Sequence, residues 1–275
     1  MGTAKADDLC PRIVLTMLIA GGIVIGFLAS FISALFGGGA GLVMVPGIYW
    51  LLVHHYADTS VLMQMTFCTG SCLSIPLGIM ASWKHNKYRN VDKPMLRVML
   101  FPMMFGGIVG VITIAAVSSA GLKSYFSIAI VLIAIWLMFH KADRQTRHWP
   151  RSVEKTVAAG VGFISTTIGV SVFSVPLFMK FGLSIKKAIG TSTVIVFAYS
   201  SVTAIGLLVL GLRIHGISAG NLGYLNLPIF LSAVLPALLG SIVGAKLVYI
   251  LPPTIMKVCF IALMFIVAGI MMIEH

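Results

Sequence analysis

Charge is scarce in this sequence. Only 9% of its 275 residues are Asp, Glu, Lys or Arg, whereas a soluble domain carries about a quarter, and 59% are hydrophobic. Between Arg12 and Lys84 the only charged residue is Asp58, and roughly 20 apolar residues suffice to cross a bilayer. The sequence therefore predicts an all-α, polytopic membrane protein with no separate soluble domain.

Acidic residues are the rarer sign of charge: 7 Asp and Glu stand against 19 Lys and Arg, a formal net charge of +12. A carboxylate inside a membrane is the usual proton relay or cation ligand. All seven fall in loops or near predicted span ends, at Asp7, Asp8, Asp58, Asp92, Asp143, Glu154 and Glu274. This disfavours a sodium or metal transporter. The basic residues lie in short connections, so they indicate orientation and contact with anionic lipid rather than nucleic-acid binding.

Cysteine is also sparse, and its spacing suggests no metal. Cys68 and Cys72 lie one helical turn apart, whereas Cys10 and Cys259 are isolated, so neither a zinc spacing nor a disulfide framework is present. An intramembrane enzyme would need a buried His/Glu metal set or a nucleophile and base pair. The predicted spans offer neither, so the sequence predicts no enzyme, no cofactor and no metal.

Two segments of the chain recur. PMMFGGIVG at 102–110 resembles PALLGSIVG at 236–244, and FISALFGGGAGLVMVP at 31–46 resembles FISTTIGVSVFSVP at 163–176. Weakly repeated halves are common in transporters. We therefore predict a first transmembrane repeat at 1–140, a basic cytoplasmic linker at 141–153 and a second repeat at 154–275. The residues assigned to packing are Pro46, Pro102, Gly106, Gly110, Pro176, Pro236, Gly240 and Gly244.

Basic clusters at 84–97, 141–155 and 180–187 should all be cytoplasmic. A single span between the last two would place the third outside. A re-entrant hairpin over 154–180, turning at Gly169, removes the conflict, and by symmetry 13–54 would turn at residues 37–39. Each repeat then has a hairpin and three spans, so the repeats are inverted and the N-terminus lies outside. Parallel repeats with eight ordinary spans stay open, since residues 13–36 are long enough to cross alone.

A helix that begins inside the membrane presents unpaired amides and a positive dipole end, which suit an anion without any charged side chain. Hydroxyl-rich segments follow both breaks and could orient the ligand. The predicted substrate-binding residues are Gly38, Gly39, Ala40, Gly41 and Thr69, together with Gly169, Val170, Ser171, Val172, Thr191, Ser192 and Thr193. Two alternatives remain: the glycines are kinks that ease packing, and the hydroxyls join neighbouring helices.

These segments give the chain a resemblance to the TauE/SafE membrane proteins, also called the 4-toluene sulfonate uptake permease family. The resemblance rests on the triple glycine followed by Pro46, its partner segment ending at Pro176, AIGTST at 188–193, YRNVD at 88–92 and the final GYLNLP to IVG stretch. It covers essentially the whole chain and implies movement of sulfur-containing anions, such as sulfite and organosulfonates, across a bacterial cell membrane. One departure is that the second break has a single glycine.

The leading hypothesis is an exporter of such anions in the bacterial inner membrane, with the ligand bound between the two breaks. A cell that is negative inside assists export of a monoanion by about 2.3 kcal/mol per 100 mV. A passive anion channel, or a proton-coupled uptake permease for another small carboxylate or oxyanion, is the alternative. The expected partners are the small anionic substrate and the lipid bilayer, with no nucleic acid, and a homo-oligomer stays open.

Overall fold

The computed structural model describes residues 11–36, 39–56, 60–139, 150–213, 220–247 and 252–273. The helices within these ranges are α1 (Pro11–Phe36), α2 (Ala40–His55), α3 (Leu62–Lys87), α4 (Lys93–Ala116), α5 (Ser119–Phe139), α6 (Arg151–Ile168), α7 (Ser174–Lys180), α8 (Ile185–Gly211), α9 (Leu227–Leu247) and α10 (Pro253–Ile273). Two short strands, β1 (Asn221–Leu222) and β2 (Leu225–Asn226), pair antiparallel before α9.

Seven of the described helices are long and apolar enough to cross a membrane: α1, α3, α4, α5, α8, α9 and α10. Their outer faces carry large exposed apolar side chains, such as Phe101, Leu235 and Ile266, which in water would be unfavourable and in lipid are not. The remaining helices are shorter or more polar, and α7 has only seven residues. The prediction of an all-α polytopic membrane protein is confirmed.

Helices α1 and α2 form an antiparallel hairpin. A Cβ built on Gly21 would overlap Leu51, and one built on Gly47 would meet Ile25 at 2.9 Å, so the start of α1 lies beside the end of α2. Gly39 is the residue before the first turn of α2. The connection between the two helices is called the first break. Residues 37 and 38 of this break, including the predicted site residue Gly38, lie outside the described residues.

The second break spans residues 169–173, between α6 and α7. Gly169 ends α6 in the left-handed conformation, with φ at 72°, which a residue with a side chain adopts only at an energetic cost. Helix resumes at Ser174. Ala158 of α6 and Phe178 of α7 share one buried cluster with Met99, Met103 and Tyr199. The helix is therefore interrupted at the predicted position.

The two most extensive helix–helix contacts join one half of the chain to the other. Helix α4 packs on α6, and helix α9 packs on α1. A Cβ at Gly106 would overlap the carbonyl oxygen of Ala159, and one at Gly240 would overlap that of Phe27. These two contacts occupy equivalent positions in the repeated segments. One turn later, Gly110 lies against the Phe163 carbonyl oxygen and Gly244 lies against that of Phe31, again at equivalent positions. The glycines of the repeated segment thus place two backbones in direct contact, at the same register in both crossings.

Helix α8 separates the starts of α4 and α9. Near its beginning, the Thr191 hydroxyl accepts a hydrogen bond from the backbone N–H of Asp92, the residue before α4, at 2.9 Å. At its other end, Gly211 packs against the backbone of Tyr224 in the β1–β2 ribbon that leads into α9. Because α8 is a continuous helix of 27 residues, α4 and α9 begin at opposite ends of it.

Candidate functional site

The two breaks meet each other. A Cβ on Gly41, in the first turn of α2, would overlap the carbonyl oxygen of Gly169 and approach the Val170 side chain at 3.0 Å. Gly169 in turn lies against Phe67 of α3 and Val45 of α2. The carbonyl end of α6 therefore contacts the amide end of α2, an arrangement in which the two helix dipoles attract. The structure thus brings Gly41 together with Gly169 and Val170, whereas Gly39 packs against Phe260.

The two breaks present their amides differently. In the first break, Ala40 and Gly41 are the first two residues of α2 after Gly39, and their N–H groups have no carbonyl one turn earlier in the helix. In the second break, Val170, Ser171 and Val172 precede α7, which begins only at Ser174. Their amides belong to the connecting turn, where the Ser171 carbonyl accepts from the Ser174 amide at 3.4 Å. Of the two breaks, only the first leads directly into the first amides of a long helix.

Hydroxyl groups gather beside the second break. The Tyr199 hydroxyl, on α8, lies next to the hydroxyls of Ser165, Ser171 and Ser174; these four residues are called the hydroxyl cluster. Ser165, Ser174 and Tyr199 are 1%, 0% and 3% exposed. The Oγ atoms of Ser165 and Ser174 nevertheless complete no hydrogen bond of good geometry. The cluster therefore has buried hydrogen-bonding capacity that the described residues leave unused.

The hydroxyl cluster has no full counterpart beside the first break. Aligned through the repeated segments, Ser171 corresponds to Gly41 and Ser174 to Met44, although Ser165 corresponds to Ser33. Met44 is buried at 2% exposure. A site between the breaks is therefore asymmetric. The first half of the chain contributes first-turn amides, and the second half contributes hydroxyls.

Helix α5 covers the second break from one side. The Tyr125 hydroxyl is 3.0 Å from Thr167 Oγ1, near the end of α6, and the Trp136 ring packs on Phe173 with centroids 5.5 Å apart. Thr167 also donates to the Phe163 carbonyl of its own helix at 3.0 Å. These contacts hold α6 in place just before the helix ends.

The predicted threonines Thr69 and Thr191 each contact the residue before another helix. Thr69 Oγ1 accepts from the Asn226 amide at 3.0 Å, as Thr191 Oγ1 accepts from the Asp92 amide. Asn226 and Asp92 each cap the following helix, accepting from the amides three residues on at 3.0 and 3.1 Å. Thr69 and Thr191 thus make equivalent contacts in the two repeats, each accepting from the capping residue of another helix. They correspond to the alternative in which hydroxyls join neighbouring segments.

The neighbours of Thr191 in AIGTST pack on another segment, are buried, or bond within their own helix. Gly190 packs on the backbone of Asn90 in the YRNVD segment, Ser192 is 4% exposed, and Thr193 donates to the Ile189 carbonyl of its own helix at 2.9 Å. Thr191 lies eight residues before Tyr199 on α8, about 12 Å along the axis. The AIGTST segment and the hydroxyl cluster are therefore separate sites.

Three members of the hydroxyl cluster are not among the site residues predicted from the sequence: Ser165, Ser174 and Tyr199. Ser165 and Ser174 lie inside the repeated segment that marked the second break, so their proximity to Ser171 was open to prediction. Tyr199 gave no such signal, because a single tyrosine within an apolar helix is more often an ordinary core residue. Only the packing of α8 on α6 and α7 identifies it.

Acidic and metal-binding groups are absent from the described part of this site. Among the described residues, no group of three or more His, Cys, Asp or Glu side chains is arranged to hold a metal ion. Asp92 lies at the start of α4, where its carboxylate pairs with Lys187 at 3.2 Å. An anion between the breaks would therefore meet no described carboxylate there.

Comparisons with known proteins agree with one another. The family model described as "Sulfite exporter TauE/SafE" matches residues 22–271. A probable membrane transporter protein of Haemophilus influenzae is 25% identical over 250 residues, covering 90% of this chain and 95% of that protein. One from Methanocaldococcus jannaschii is 24% identical over 236 residues, covering 82% and 84%. One from Bacillus subtilis is 24% identical over 212 residues, covering 69% and 78%. No solved structure matches.

Proposed function

This chain belongs to the Sulfite exporter TauE/SafE family and is a membrane transporter, and from that premise we propose that it exports small sulfur-containing anions, such as sulfite or organosulfonates. The proposed location is the inner membrane of a bacterium. The anion would bind where the two breaks meet, at the Ala40 and Gly41 amides and the hydroxyl cluster.

The observation that carries this proposal is the unused hydrogen-bonding capacity beside the contact between the breaks. A buried hydroxyl without a partner costs about 1–3 kcal/mol, so Ser165 and Ser174 favour a ligand that supplies acceptor atoms. A sulfite or sulfonate group has several oxygen atoms that accept from hydroxyls and amides. Among the described residues, no carboxylate adds to the repulsion that the Gly169 carbonyl oxygen would exert on the anion. The proposed site is centred on the hydroxyl cluster and does not use Thr69 and Thr191, whose oxygens hold the Asn226 and Asp92 amides at the starts of α9 and α4.

We also propose that the two repeats are inverted. The sequence alignment makes α4 the counterpart of α9, and these helices begin at opposite ends of α8. Parallel repeats would place both starts at the same end. The basic residues Lys84, Lys87 and Lys93 favour a cytoplasmic location for the start of α4.

Labelling of single cysteines tests this topology. Cysteines introduced at Tyr88, before α4, and at Leu222, before α9, should react with an impermeant maleimide from opposite sides of the membrane in a variant whose native cysteines are replaced. Both side chains are exposed. Labelling of both from one side would refute the inverted arrangement.

Flux measurements test the transported substrate. Purified protein in liposomes should take up sulfite saturably, respond to an imposed membrane potential and show counterflow with unlabelled sulfite. Saturation without counterflow would favour the channel alternative. Movement of small carboxylates driven by a proton gradient would favour the uptake alternative. Absence of flux for every sulfur anion would contradict the proposal.

Removing hydroxyls from the cluster should weaken transport. Tyr199→Phe and Ser174→Ala each delete one donor, and we expect each to reduce the apparent affinity for sulfite about fivefold, from a loss of about 1 kcal/mol per hydrogen bond. The measurement is the substrate dependence of initial flux.

Ser201→Ala is the matched control. Ser201 lies on the same helix as Tyr199, but its hydroxyl donates to the Phe197 carbonyl at 2.8 Å, so its removal should leave the affinity unchanged. Equal effects from Ser201→Ala and Ser174→Ala would show that the hydroxyl cluster does not bind the substrate.

A further inference from the structure

A groove opens between the end of α3 and the start of α4, and Val194 of α8 also belongs to its lining. Its volume is about 450 Å³, and its polar lining includes Ser82 and Asn86 of α3 and Lys93 and Arg97 of α4. Trp83 forms one wall and is 67% exposed. A tryptophan at the end of a membrane span is typical of the headgroup region.

The groove is strongly basic. Lys93 and Arg97 lie one turn apart on α4, so both side chains extend from the same face. Among the described residues, neither forms an ion pair, since the neighbouring carboxylate of Asp92 pairs with Lys187. Lys87 adds positive charge at the rim, with its Nζ 5.5 Å from the centre of the Trp83 ring. This arrangement attracts an anion.

A second feature also suggests a ligand. The Oγ atom of Ser82, in the lining of the groove, is buried and has no hydrogen-bond partner. A phosphate oxygen between Ser82, Lys93 and Arg97 would supply the missing acceptor. Both cations and the free hydroxyl therefore suit the same group.

The surface beyond the groove is apolar and continues along the same face of α4. Phe101 and Phe105 follow Arg97 at intervals of four residues and are 74% and 64% exposed, and Ile112 extends the stripe towards the far end of the helix. A free inorganic anion gains nothing from such a stripe, whereas the acyl chains of a lipid would cover it.

The equivalent face of α9 shows the difference between the halves. In the repeat alignment, Leu227 and Leu231 occupy the positions of Lys93 and Arg97. Leu235 and Leu239 match the two phenylalanines, and they are 70% and 61% exposed. Both helices thus present an apolar stripe, but only α4 ends it with two cations. Of these two helices, only α4 combines cations for a charged lipid headgroup with an apolar stripe for the acyl chains.

We propose that this groove binds an anionic phospholipid, with its phosphate held by Lys93, Arg97 and Ser82 and its acyl chains lying along the stripe of α4. Basic pockets between membrane helices bind such headgroups in this way. The site is independent of the transported substrate. It would anchor the α3–α4 connection, whose YRNVD segment contacts AIGTST of α8.

The test uses full-length protein in a neutral detergent with added phosphatidylglycerol. We expect a saturable rise in unfolding temperature. The double variant K93Q/R97Q should reduce the apparent affinity for phosphatidylglycerol about tenfold or more, since each basic residue near an anionic surface contributes substantially. S82A should reduce it severalfold without any change in net charge.

K180Q/K186Q is the control, because it removes the same charge from exposed positions outside the groove. It should bind phosphatidylglycerol as the unchanged protein does. Equal loss in both double variants, or an equal response to phosphatidylcholine, would overturn the proposal. An equal rise with inorganic phosphate would also overturn it, by showing a site for a free anion rather than for a lipid. Native mass spectrometry of the lipid-bound protein checks the stoichiometry in each case.

Discussion

Gly41→Val is expected to abolish transport and to lower the free energy of unfolding by about 3 kcal/mol. A Cβ at this position would overlap the Gly169 carbonyl, and Gly169 cannot retreat because Phe67 and Val45 lie 3.2 and 3.3 Å from the point that its own Cβ would occupy. The two breaks must therefore separate, which removes the proposed site between them. Counterflow of sulfite in liposomes and thermal unfolding in detergent are the measurements.

Gly70→Ala provides the comparison for this prediction. Gly70 lies in α3 near the same hairpin, but a Cβ there meets only Met44 Cβ, at the ordinary contact distance of 3.9 Å. Alanine also favours helix over glycine by about 1 kcal/mol. Gly70→Ala should therefore transport normally and be at least as stable. Transport by Gly41→Val at the rate of the unchanged protein would show that the contact between the breaks is dispensable.

Gly106→Leu is expected to prevent the protein from folding. Gly106 contacts the carbonyl oxygen of Ala159 across the α4–α6 crossing, so a leucine would force two helix backbones apart along their whole interface. The cost is about 3 kcal/mol or more, a large share of the stability of a typical protein. Fluorescence-detected size-exclusion chromatography of detergent extracts would show loss of the monodisperse peak.

The duplicated crossing sharpens this prediction. Gly240→Leu should be as harmful as Gly106→Leu, because Gly240 makes the equivalent contact with Phe27. Gly160→Leu is the control on the same pair of helices, since Gly160 is exposed and no packing neighbour lies within 4 Å of a Cβ built there. A normal peak for Gly106→Leu, or loss of the peak for Gly160→Leu, would contradict this account of the crossing.

Several features of the fold follow from local patterns in the sequence. The charge-free runs predicted spans because the transfer of apolar side chains into lipid depends mainly on composition. The breaks were visible as glycine before a short apolar run ending in Val-Pro. The proline and glycines of the repeated segment identified close helix crossings, although not which helices cross.

Other features depended on which faces meet. Thr191 belonged to a motif that suggested a ligand site, yet its hydroxyl accepts the Asp92 amide almost 100 residues away in the chain. Tyr199 belonged to no motif, yet its hydroxyl joins three serines beside the second break. Both differences arise because hydrogen-bond partners are chosen by proximity in space after the helices pack.

The sequence by itself determined that this chain crosses the membrane repeatedly, that two of its segments are interrupted and that carboxylates avoid its predicted spans. Each of these is a property of residues close together in the chain, and the energies of lipid transfer and of backbone hydrogen bonding act on them locally. Only the tertiary structure decided that the two interruptions touch and that a cluster of hydroxyls lies beside the second. It also separated AIGTST from that site and left two cations of α4 beside an apolar stripe. Those outcomes depend on contacts between distant residues, where a shift of one helical turn would bring different side chains together.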